Sequence, residues 1–273
     1  MTGIVLRASR IGPSARNHLL TGPWTGRVVS RFAGGASLLL GPPPDAALIS
    51  LQSVAAAFHP WGIEMGDAPD VLVGEPLVSS GGSLRFDRGL EVAWKGALVP
   101  ALGIATLGLE ARRQAVGILA SLAPEIAEPD LLSPLETWQL GGAPEPLIGL
   151  IGRGPGSSPL GDDLLVGLLA GLATGADLAP AQQAVHQTLA RVAWTDRTTI
   201  GSAQMLAAAL DGRFPEPLCR LVNHLSRPLG GGRSTGTSLL AEKAEKLLRL
   251  GTSSGIGLLH GLLAGLKASL SPS

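Results

Sequence analysis

The stretch GRGPGSSPLGDDLLVGLLAGL, Gly152–Leu172, sets the terms for this chain. Alternating glycines run into two serines and a proline, then two adjacent aspartates, then an apolar helix. An echo follows 94 residues on, where VGLLAGL (Val166–Leu172) is answered by HGLLAGL (His260–Leu266). Glycines recur every fourth residue, at Gly167, Gly171 and Gly175 and again at Gly257, Gly261 and Gly265. That spacing places them on one helix face. Glycine costs about 1 kcal/mol against alanine inside a helix, so six of them need a reason. Close approach of two helix backbones is the plain one, and it brings the two leading loops side by side.

Outward from these helices, the pattern predicts two parts. Before about residue 98, short β-like runs alternate with Gly- and Pro-rich breakers: Gly26–Phe32, Ala36–Leu40, Ala46–Leu51, Leu72–Val78 and Ser83–Asp87. From Val99 on the period is helical, over Ala101–Leu122, Leu164–Leu172, Pro180–Val192, Ala203–Leu210, Glu216–Leu225, Ser238–Leu250 and Leu258–Leu270. Pro124–Pro146 reads as a proline-rich linker or an irregular helix pair. The expectation is an α+β protein: a β-rich domain over residues 1–98, a small antiparallel sheet or barrel, then a helical domain over 99–273 carrying the Gly-rich loops.

Composition narrows the function. Twenty-one basic residues balance twenty-one acidic ones with no basic block, which disfavours a nucleic-acid partner. No apolar run reaches a membrane span, and a lone Cys219 excludes an internal disulfide, so a cytoplasmic home is expected. The five histidines lack metal-motif spacing, so no metal ligands are assigned among them.

Three polar clusters carry the candidate chemistry. In the first, Gly152, Gly154 and Gly156 let backbone amides turn toward one point, Arg153 adds a fixed charge, and Ser157 and Ser158 precede the helix. Ser158 reads as the N-cap with Pro159 at the first helical position. Such an entrance suits a small anion such as phosphate, carbamoyl phosphate or a carboxylate. Asp162 and Asp163 either complement the helix dipole or serve a ligand, as an amide acceptor or through a bridging cation such as magnesium. In the second cluster Thr198 or Thr199 caps a helix, with Ser202 on the same face. In the third, Thr252, Ser253, Ser254 and Gly255 open the echo helix and can cap it, hold an anion, or both. His260 reads as packed or edge-exposed, and Cys219 as an unreactive helix residue.

In this order and spacing the clusters resemble the family of the bacterial oxamate carbamoyltransferase subunit AllH, a domain-of-unknown-function family. Its pattern of GxGxGLTPxxDD, TTxxSxxxLxxAxxG and GHxSGxDxLxG is met by Gly152–Asp163, by Thr198-Thr199 with Ser202 and Gly212, and by Gly251–Gly255. The resemblance is good over Ile148–Leu266. It implies a transferase subunit of allantoin and purine breakdown that works with partner subunits, moving a carbamoyl group between oxalurate and phosphate to give oxamate and carbamoyl phosphate. Asp162 and Asp163 are then the candidate catalytic residues, and Gly152, Arg153, Gly154, Gly156, Ser157, Ser158, Thr198, Thr199, Ser202, Thr252, Ser253, Ser254 and Gly255 the candidate substrate-binding ones. The chain departs from the pattern at Thr252, where the family has His, at Gly257, where it has Asp, and at Ser157-Ser158, where it has Leu-Thr. These departures keep a second class open, a non-catalytic metabolite-binding or scaffold subunit. A metal-assisted hydrolase built on the two aspartates has less support, because no other carboxylates or histidines cluster with them.

Overall fold

A computed structural model describes residues 4–226, 233–268 and 270, without the side chains of 233–238. The chain divides into two compact units, Met1–Leu102 and Gly103–Ser273.

The first unit is a nine-stranded, mostly antiparallel sheet. Its strands are β1 Ile4–Arg7, β2 Arg10–Ile11, β3 Trp24–Phe32, β4 Gly35–Leu40, β5 Ala47–Ser53, β6 Gly62–Met65, β7 Pro76–Ser80, β8 Ser83–Phe86 and β9 Leu90–Ala93. They lie in the order β1-β9-β8-β7-β3-β4-β5-β6-β2. β1 and β2 thus occupy opposite margins, yet only three chain steps separate Arg7 from Arg10. Three extended steps span at most about 11 Å, so the sheet must curl until its margins nearly meet. The amide of Ala8 donates to Ala93 on one margin, and that of Ser9 to Glu64 on the other.

Glu64 fastens this closure. Its buried carboxylate accepts from Ser9 Oγ at 3.0 Å and from Arg10 Nε at 2.8 Å, and also from Arg10 Nη2. The guanidinium lies over the Phe58 ring, 4.3 Å from its centroid. Alternate residues fill the interior, among them Ala36, Leu38 and Leu40 on β4 and Ala47, Ile49 and Leu51 on β5. Helix α1, Pro13–Leu20, adds Ala15 and Leu19 to the same core.

Of the five expected strands, four sit near their expected places, but Leu72–Val78 is displaced to Pro76–Ser80. The amide of Leu72 is instead drawn to the Glu75 carboxylate in a turn.

The second unit holds the remaining helices: α2 Leu109–Leu122, α3 Ser133–Gln139, α4 Leu160–Leu172, α5 Ala179–Ala190, α6 Ile200–Leu210, α7 Glu216–Leu225, α8 Arg233–Leu248 and α9 Ser254–Ala268. The helix expected from Ala101 begins only at Leu109. Asn223 holds the preceding segment extended, accepting from the Ala105 amide at 2.7 Å and donating to the Gly103 carbonyl at 3.2 Å. The expected run to Leu270 crosses position 269, which lies outside the described residues.

All thirteen residues of α4 are buried, as a helix apolar on every side requires. Its main partner is α9. A Cβ added at Gly167 would lie 2.2 Å from the Leu258 carbonyl oxygen, and one at Gly261 would lie 2.0 Å from that of Leu164. Gly171 faces Leu262 O and Gly265 faces Leu168 O, each at 2.6 Å. The same 94-residue offset carries each contact into its mate, so the pair has local two-fold pseudosymmetry. Gly175 is the exception: it lies beyond the helix end, where its open side accommodates the Arg112 guanidinium.

Gly167→Ala and Gly261→Ala should each lower stability by about 1–3 kcal/mol in denaturant titration, because backbone cannot yield to the added methyl. Gly117→Ala, on an exposed part of α2 with nothing near its Cβ position, should raise it by up to about 1 kcal/mol.

Candidate functional site at the helix entrances

The glycine seam brings the entrance of α9 beside that of α4, and the start of α6 completes the group. Gly152, Gly154 and Gly156 all have positive φ, at 75°, 92° and 107°, which folds the loop into a tight zigzag. Gly152 also lets the Arg197 carbonyl come within 1.8 Å of where a Cβ would sit. Arg153 is exposed, and its carbonyl accepts the Gly161 amide at 2.8 Å.

The expected cap is corrected here. The helix starts at Leu160 and Pro159 is its N-cap, with no side-chain hydrogen bond there. The Pro159 carbonyl takes the amides of Asp162 and Asp163. The Ser158 hydroxyl instead reaches forward to Asp163 Oδ1 at 2.9 Å and lies 3.4 Å from Ser202 Oγ. The amides of Gly161, Asp162 and Asp163 in the first turn of α4 are therefore already engaged within the protein. Among the described residues nothing accepts from the amides of Gly154, Gly156, Ser157 or Ser158 in the loop before it.

The two aspartates are both buried but placed differently. Asp162 accepts from the Gly152 amide at 2.9 Å through Oδ1 and from the Thr198 hydroxyl through Oδ2. It thereby ties the glycine loop to the start of α6. Burial raises its pKa, opposed by hydrogen bonding from Thr198, Gly152 and Ser202. Asp163 is 8% exposed, and its Oδ2 is buried with no hydrogen-bond partner. Burial pushes this carboxyl up to about 7, against the Ser158 and Ser254 hydroxyls and with a further push from Asp162. Its Cβ lies 2.8 Å from the point a Gly257 Cβ would occupy, so the helix opposite leaves it room only by being glycine.

The hydroxyls of the other clusters close the group. Thr199 caps α6, accepting from the Ser202 amide at 3.2 Å, and donates to the Ser157 carbonyl at 3.4 Å. Ser253 Oγ reaches the Pro155 carbonyl at 3.5 Å, while Thr252 stands exposed and Ser254 begins α9. Gly255 is buried, facing the Leu247 carbonyl. The three clusters thus meet at one place. Arg197 is the residue sequence reasoning passed over: its backbone abuts Gly152, and the only hint was its position just before Thr198.

Two other candidates take structural roles. His260 Nε2 lies 2.7 Å from the Pro124 carbonyl oxygen. Cys219 is buried, and desolvation pushes its thiol up to about 12. Among the described residues no three His, Cys, Asp or Glu side chains gather to hold a metal ion. Asp162 has both oxygens engaged, so the aspartate pair leaves a divalent ion one uncommitted carboxylate oxygen. No described helix is long and apolar enough to cross a membrane.

A helical unit whose loops gather around a buried acid pair is the class that fold and site define. Within it, residues 150–266 match the family model described as oxamate carbamoyltransferase subunit AllH. That span holds all three clusters, the whole of α4 and most of α9. No curated protein and no solved structure matches the chain.

Asp163→Asn should expose the cost of the buried acid. Its folded pKa lies above the ordinary carboxylate value, so the wild type loses stability as pH rises from about 4 to about 7. The gap corresponds to a loss on the order of 4 kcal/mol, fully present above pH 7. The Asn variant should lack that slope and be the more stable protein at pH 8 in urea titrations.

Proposed function

We propose that the chain is a subunit of a carbamoyltransferase assembly and that its loop cluster binds a small anion, phosphate or the phosphate of carbamoyl phosphate. The observation that carries this reading is the set of uncommitted loop amides from Gly154 to Ser158, set beside an exposed Arg153 and a buried acid with one unpartnered oxygen. Free amides with a guanidinium suit a tetrahedral oxyanion.

Carbamoyl transfer needs an anion seat and one proton. A phosphate oxygen attacks the ureido carbonyl carbon of oxalurate, a C–O bond forms, and the C–N bond to the oxamate nitrogen breaks. The departing nitrogen takes a proton, and the hydrogen phosphate loses one. Asp163 is suited to carry that proton, giving it to the nitrogen and regaining it from the phosphate. A carboxyl that titrates near 7 is matched to donation and recovery at neutral pH. Asp162 acts as a positioning residue, holding Gly152 and Thr198 in register. Partner subunits follow from the family's description as a subunit.

Thr252 and Gly257 favour a second reading, a subunit that binds the anion without performing the transfer. Relative to the family pattern they remove an imidazole and a carboxylate from the α9 entrance.

Calorimetry with inorganic phosphate should give binding heat that Arg153→Ala reduces at least tenfold in affinity; unchanged heat removes the loop from the site. Assay of carbamoyl phosphate from oxalurate and phosphate, alone and with candidate partner subunits, separates the readings. Turnover that Asp163→Asn abolishes while leaving phosphate affinity within threefold supports the proton role. Binding without turnover in any mixture supports the second reading.

A further inference from the structure

The first unit contains a cavity of about 600 Å³ that the carbamoyltransfer reading does not use. Its walls come wholly from that unit. Ile11, Leu19 and Trp94, all buried, supply an apolar body, and Arg16 and Lys95, both exposed, supply two cations. No aspartate or glutamate lines it, in a chain whose formal charges balance to zero.

Two features show how this wall is built. The β7–β8 hairpin turns through Gly81 and Gly82, with φ of 62° and 90°, as a two-residue turn with both central residues left-handed requires. The Gly82 carbonyl accepts the amides of both Trp94 and Lys95, at 2.9 and 3.0 Å. A Cβ at Gly82 would lie 2.7 Å from that of Lys95, so the lysine stem rests on bare glycine backbone. The hairpin thus determines where the lysine leaves the chain. Trp94 is 7% exposed, and its indole N–H is buried with no acceptor. This donor belongs to a residue of the cavity wall.

We infer that this cavity is a second ligand site, for a small organic anion with an apolar body, a carboxylate or a phosphate ester. The volume lies within the ordinary range for small-molecule sites, roughly 300–1,000 Å³. The apolar wall takes the body of the ligand, and Arg16 and Lys95 face its charge. The combination of an apolar wall with cations and no carboxylate selects against neutral and cationic molecules.

The test uses the full chain labelled with 5-fluorotryptophan, its Trp94 resonance assigned through Trp94→Phe. Four probes are titrated: 2-naphthoate, 2-naphthyl phosphate, 2-naphthamide and inorganic phosphate. The two naphthyl anions should shift the Trp94 ¹⁹F signal and bind at least tenfold more tightly than the amide or inorganic phosphate. The ratio between them tells carboxylate from phosphate ester. Arg16→Ala and Lys95→Ala should each weaken the better anion at least fivefold, and Gly82→Ala should do so by displacing the lysine stem. Amide binding as tight as the acid's, inorganic phosphate as tight as its naphthyl ester, an unmoved Trp94 signal, indifference to both charge variants, or silence from every probe at millimolar concentration would each overturn the inference. Phosphate binding at the glycine loop is read separately through Arg153→Ala, so the two proposals fail independently.

Discussion

Four carbonyl oxygens, those of Leu164, Leu168, Leu258 and Leu262, occupy the places where side chains of the facing helix would begin. The second unit is organised around that approach. Helices normally stand about 8–10 Å apart, held off by their side chains. Here glycines on each helix remove the spacer, and the backbones of α4 and α9 meet directly. Because both helices start at the same end of the seam, their entrances meet as well. The loop cluster follows from helix packing and needs no separate device to assemble it.

At that junction the acids divide the labour. Asp162 satisfies both oxygens within the protein, joining Gly152 to Thr198, whereas Asp163 keeps one oxygen without a protein partner. Burial raises the pKa of both carboxyls, and Asp163, with one oxygen lacking a protein donor, is pushed up to about 7. Adjacent helical residues point about 100° apart, so one backbone segment supplies a tether and an acid at once.

Much of this was legible in the residue pattern. Four-residue glycine spacing foretold the seam, and the echo foretold which loops would adjoin. The threonine pair likewise marked the α6 cap as Thr198 or Thr199, and it falls to Thr199. What escaped notice depended on distant partners. The extended run before Leu109 is held by Asn223, far along the chain, so its local helical period was overridden. Ser158 looked like a cap because it precedes proline, but its hydroxyl is better satisfied by a buried carboxylate five residues on. Strands β1 and β2 have four and two residues, too short for alternation to be read. The six-glycine count overreached by one, since helix α4 stops before Gly175.

The closure of the sheet carries a topological consequence. A single step of chain, from Ala8 to Ser9, hydrogen-bonds to both rims, which come from strands almost thirty residues apart in sequence. β1 and β2 are synthesised before β6 and β9, and have nothing to join until both of those strands exist. Without β1 and β2 the edges of β9 and β6 would be open templates for another chain, and one short stretch of chain covers the two together.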